Sequence, residues 1–93
     1  MQVHQAKEAF CVPAKLYRIG EIVQNTPFTR QTIHNYTTMG LIRETDWTKG
    51  GHRLYDESVF ERLWRIHELR KTKTLTEIQK IFESEDSLSA RSS

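Results

Sequence analysis

Apolar residues recur at Ile19, Ile22 and Val23, the i, i+3, i+4 spacing of a short amphipathic helix over 18–25. Thr26 and Pro27 end it, because the residue before a proline avoids helical geometry. Thr29 is a natural N-cap for a second helix reaching about Met39, and Gly40 suits its C-terminal stop. On that second helix Thr29, Ile33 and Tyr36 share one side, whereas Arg30, Gln31, His34, Asn35 and Thr38 share the other. A helix whose outer face is wholly polar, with a single formal charge that is positive, differs from the Glu/Lys-paired surface of an ordinary structural helix.

Further along, the pattern changes period. Residues 41–55 read as an extended arm, a turn at Lys49, Gly50 and Gly51, and a return strand His52-Arg53-Leu54-Tyr55. Leu16 to Arg18 predicts a short additional strand. Helical periodicity returns over 57–71, capped by Asp56, with Val59, Phe60, Leu63, Ile66 and Leu69 as the buried stripe and Trp64 widening it. The Thr74-Leu75-Thr76-Glu77 spacing is that of a capping box, and it opens a last helix with Leu75, Ile78, Ile81 and Phe82 inward. Residues 1–14, interrupted by Pro13, predict a flexible arm, with Phe10 and Val12 as its candidates for resting on the core. Serine-rich 84–93 predicts a disordered tail. The domain is therefore expected over 15–83, and its class is mainly α.

Composition narrows the function classes. The 93 residues suit one domain, and the longest apolar runs fall far short of the ~20 residues of a membrane span. One cysteine, Cys11, excludes an internal disulfide and predicts a reducing, cytoplasmic setting. The histidines His4, His34, His52 and His67 form no metal-ligand spacing with Cys11 or the acids, and no nucleophile–base–orienter set is apparent. Neither a cofactor, nor a metal, nor an enzymatic activity is expected. The net charge of +2 is small, but its distribution is uneven. Residues 15–53 hold six Lys/Arg against three acids, whereas 54–83 balance at six against six. The surplus lies on the two-helix and hairpin segment, where phosphates would be neutralised, with a plain solvated basic face as the alternative. The Gly50-Gly51 pair would suit a nucleotide-phosphate loop only with a following helix carrying a lysine, and a strand follows instead.

Tyr17-Arg18-Ile19-Gly20-Glu21-Ile22, Thr32-Ile33-His34-Asn35-Tyr36 with Met39-Gly40-Leu41-Ile42, and Gly51-His52-Arg53-Leu54-Tyr55 stand in one order. This series resembles the MerR family of bacterial transcription regulators, with its Y-x-I-G-E-x-A, T-L-R-Y-Y…G-L-L and G-Y-R-x-Y motifs. Leu63…Ile66 and Leu75-Thr76-Glu77-Ile78 fit the helix pair completing that family's N-terminal domain. The resemblance implies a winged helix-turn-helix fold over about 16–82, and sequence-specific binding of double-stranded DNA in transcription regulation. The second helix would enter the major groove and the hairpin wing would rest on phosphates. His34 and Asn35 depart from the arginine and aromatic common there, His52 from a tyrosine, and Trp47 from a frequent basic residue. The turn near Thr72-Lys73 lacks the usual glycine.

Base contacts are expected from Arg30, Gln31, His34 and Asn35, since arginine and glutamine match guanine and adenine edges. Backbone contacts are expected from Arg18, Tyr36, Arg43, Lys49, Arg53 and Tyr55, with core roles open for both tyrosines and wing support open for Arg43. Trp47 has three candidate uses: folding back onto the wing, which we rank first, packing on a DNA sugar, and binding a partner. RNA polymerase or a regulatory protein is a further candidate partner, and no membrane association is expected. Residues 84–93 lack apolar heptad positions, so a monomer in solution that pairs on DNA is expected, associated with the nucleoid. Two other readings remain: an architectural, excisionase-like DNA binder, and a protein-interaction module on the same fold.

Overall fold

A computed structural model describes residues 15–92. The expected arm over 1–14 lies outside them. The elements are β1 (Leu16–Arg18), α1 (Ile19–Gln24), α2 (Arg30–Thr38), β2 (Asp46–Trp47), β3 (Arg53–Asp56), α3 (Ser58–Leu69) and α4 (Leu75–Ser92). Four helices surround one small antiparallel sheet in the order β1-β3-β2, with β3 in the middle. This is the mainly α, winged helix-turn-helix architecture that the polarity pattern and motifs predict.

Local chemistry sets the helix ends. The Glu21 carboxylate accepts the backbone N–H of Arg18 at 2.9 Å, and Asn25 and Thr26 side chains donate back to the carbonyls of Glu21 and Ile22. Thr29 Oγ1 accepts the N–H of Thr32, capping α2 as predicted. At the other end Gly40 takes φ +77°, and the N–H groups of Leu41 and Gly40 close on the carbonyls of Tyr36 and Thr37. That pair of bonds is a Schellman motif, which needs a left-handed residue after the helix. Asp56 accepts the Ser58 N–H at the start of α3, and Thr74 and Glu77 exchange backbone-to-side-chain bonds at the start of α4.

The wing is a three-residue hairpin loop. Thr48 N–H donates to His52 O across it, Gly51 N–H donates to Thr48 O, and Gly51 has φ +86°. A type I turn followed by one left-handed residue matches strand twist only if that residue tolerates positive φ. β3 then pairs back with β1, Tyr17 facing Tyr55, which pins the base of the wing beside α1.

The core consists of Ile22, Ile33, Tyr36, Leu41, Ile42, Tyr55, Val59, Leu63, Ile66, Ile78 and Phe82. Polar side chains of the last two helices close it: Arg62 Nε donates to Leu41 O, and Gln79 Nε2 donates to Met39 O, both at 2.7 Å. Those bonds satisfy backbone carbonyls around the glycine turn and seat α2 on α3 and α4.

Two expectations are corrected. Trp64 does not widen the α3 stripe; it is 62% exposed and stacks on His67. The chain beyond Ser84 is helical as far as Ser92, not a disordered tail. Arg65 grips Glu85 with two 2.8 Å hydrogen bonds, and Arg62 lies 3.3 Å from Asp86 while stacking over Phe82. A serine-rich composition does not show that two arginines of α3 face those acids.

Candidate nucleic-acid interface

The first turn of α1, the outer face of α2 and the wing enclose a crevice of about 520 Å³. Arg18, Arg30, His34, His52 and Arg53 line it, with Glu21 as the acid among them. Glu21 is already engaged, by the Arg18 N–H and by Lys15 Nζ at 3.2 Å. Those bonds, the backbone one foremost, hold its carboxyl below the usual range, so it stays ionised. The crevice still carries a cationic surplus from three separate elements.

Each side chain has a structural reason for its position. Arg30 begins α2, and its guanidinium lies over Gly20, where an added Cβ would stand 3.6 Å from Nη2. His34 follows one turn later on the same exposed face. Gln31 and Asn35 lie beside them, also exposed, and Gln31 Nε2 donates to Asn35 Oδ1 at 3.0 Å. That bond leaves the Gln31 oxygen and the Asn35 amide group free for base edges. The four expected base-contact residues thus share the outward face of one helix. Lys49 is exposed at the hairpin tip, and Arg53 lines the crevice from β3.

Three of the residues expected at phosphates have other surroundings, and for the two tyrosines these are the core roles left open by the sequence. Arg43 does not line this crevice. It borders a separate cavity of about 360 Å³ and lies 3.8 Å from Asp86, because the chain leaving Gly40 runs along α3 and α4 before it reaches the wing. Tyr36 faces inward on α2, packed against Phe28, and burial pushes its hydroxyl pKa upward. Tyr55 is fully buried at the base of the crevice, with its hydroxyl 2.8 Å from Thr37 Oγ1. Its role is to tie β3 to α2, and a phosphate would have to displace Thr37 to use it.

Other contributors were not singled out from the sequence. Glu44 places a carboxylate oxygen 3.4 Å from Arg53 Nε. Thr37 supplies the bond to Tyr55, and Gly20 the space for Arg30. No local pattern points to Glu44 or Thr37, because their partners are distant in sequence. Trp47 has folded back onto the wing beneath Arg53, the use ranked first.

A polar-faced helix, a basic hairpin and the crevice between them define a winged helix-turn-helix domain of the DNA-binding kind. Comparison with known proteins makes the class specific. The model of the MerR HTH family regulatory proteins matches residues 17–85, and the chain belongs to that family. The nodulation protein NolA of Bradyrhizobium diazoefficiens is 41% identical over 73 residues, which are 77% of this chain and 31% of that protein. The mercuric resistance operon regulatory protein of Bacillus cereus is 35% identical over 66 residues, 70% of this chain and 50% of that protein. Among solved structures, a MerR-family transcriptional regulator from Bacillus cereus superimposes with a TM-score of 0.66 at 29% identity, covering 73% of this chain and 52% of that one. The chain therefore spans a third to a half of the length of these curated relatives.

Proposed function

We propose that this chain reads double-stranded DNA by sequence as the DNA-binding part of a MerR-type transcription regulator. α2 enters the major groove, with Arg30, Gln31, His34 and Asn35 at base edges, while Arg18, Lys49 and Arg53 hold the flanking phosphates. One observation carries the reading: Arg18, Arg30, His34 and Arg53, from β1, α2 and β3, face a single crevice between helix and wing. Their convergence matters because a reading helix is registered only when phosphates are gripped on a second element at fixed offset. The chain is a monomer in solution and pairs on DNA. RNA polymerase or a regulatory protein is its further partner.

Selection of bound sites from a random duplex pool tests this, followed by titration of the selected and a scrambled duplex at two salt concentrations. A recurrent site, bound more tightly than the scramble and weakened by salt for both, is the expected result. Absence of duplex affinity at low ionic strength refutes the proposal.

A further inference from the structure

The wing holds its arginine in an unusual way. β2 and β3 pair with Trp47 directly opposite Arg53, and the guanidinium lies over the indole, 5.1 Å from the ring centroid. Trp47 is 49% exposed, so the pair forms part of the outer surface of the wing and not of the core. Arg53 Nε is buried without a hydrogen-bond partner, since the Glu44 oxygen at 3.4 Å is near enough to attract it but badly aligned. Among the described residues, the Arg53 side chain makes no hydrogen bond at all, although a guanidinium has five N–H donors.

An aromatic ring engages the face of a guanidinium, whereas a phosphate engages the in-plane N–H groups at its edge. The two do not compete. A long side chain resting on a ring also has less freedom to lose when it meets a phosphate.

We propose that Trp47 is a positioning residue for DNA binding, its indole holding the Arg53 guanidinium at the crevice with the N–H edge directed to phosphate. This rests on the reading that the domain binds duplex DNA. Trp47 acts through Arg53 and makes no base contact of its own.

The test is fluorescence anisotropy with a labelled random-sequence duplex across several salt concentrations. It compares the unaltered chain with W47A, R53A, the W47A/R53A double variant, W47F and W47L, each checked for folding by far-UV circular dichroism. W47A is expected to weaken binding roughly two- to fivefold, the range of an exposed cation–π contact, and to shift the salt slope toward that of R53A. In the R53A background the same change is expected to add nothing. W47F, which keeps a π face, is expected to retain most of the affinity, and W47L, which keeps only bulk, to lose it. An undiminished loss from W47A in the R53A background overturns the proposal. So does equal affinity of W47F and W47L, the comparison that decides the matter if W47A does not fold. If the unaltered chain fails to bind the duplex at all, the DNA-binding reading itself falls.

Discussion

The hydroxyl pair Thr37–Tyr55 joins α2 to the central strand, and its geometry sets the order of two mutational effects. Thr37 Oγ1 donates to Ile33 O at 2.9 Å, and it lies 2.8 Å from the Tyr55 hydroxyl. A threonine hydroxyl has one hydrogen, so the Tyr55 hydroxyl must be the donor in the second bond. Tyr55→Phe therefore removes a donor and leaves Thr37 satisfied by its other bond. Its cost is the net worth of one neutral hydrogen bond, about 0.5–1.5 kcal/mol. Thr37→Val leaves a donor stranded on a side chain with 0% exposure, and a stranded buried group costs about 1–3 kcal/mol. Removing both partners strands nothing. Urea unfolding followed by far-UV circular dichroism should rank T37V as the more destabilised, with the T37V/Y55F double variant close to Y55F alone. In a domain of this size each kcal/mol shifts Tm by roughly 4–8 °C, so the order is measurable by heating too. Y55F costing more than T37V, or strictly additive losses, would refute the donor assignment.

Arg53→Ala should weaken binding to all duplexes alike and reduce the salt slope by roughly one. Gln31→Ala should instead relax preference at one base pair by about 1–3 kcal/mol, and equal losses on selected and random duplexes would refute that division. Gly40→Ala should lower stability by about 1–2 kcal/mol in urea unfolding: its φ of +77° strains any L side chain, while an added Cβ would meet nothing within 4 Å, so no clash contributes. Acid should destabilise the fold through Glu21, Asp56, Glu77 and Glu85. Hydrogen bonds, chiefly from the Arg18 N–H, the Ser58 side chain, the Thr74 N–H and the Arg65 side chain, lower the four carboxyl pKa values in the folded state. Their contribution is then present above the ordinary carboxylate range and lost as pH falls through the lowered values. Tm should therefore be level near neutrality and fall in acid, with Glu77→Gln flattening the fall; a Tm rising on acidification would contradict the sign.

How much of this was legible beforehand differs from residue to residue. The α2 boundaries follow from Thr29 and Gly40, because capping and positive φ are settled within a few residues. The wing loop follows from Gly50 and Gly51 on the same ground, and counting back across it already sets Trp47 opposite Arg53. The surroundings of Arg43 were not legible, because the route of 41–45 depends on packing against α3 and α4. Trp64 was misplaced because helical periodicity shows where a side chain points, but not whether another element covers it.

By itself, then, the sequence determined the elements, their capped ends and the polar face of α2, since these depend on φ/ψ preferences and on neighbours within one or two turns. It also carried the family motifs. Only the tertiary structure decided that β3 inserts between β1 and β2, setting Arg53 across from Arg30 and His34, that Tyr55 is spent on Thr37, and that α3 arginines meet Glu85 and Asp86 of α4. Those outcomes depend on contacts between residues far apart in the chain, whose energies no local window contains.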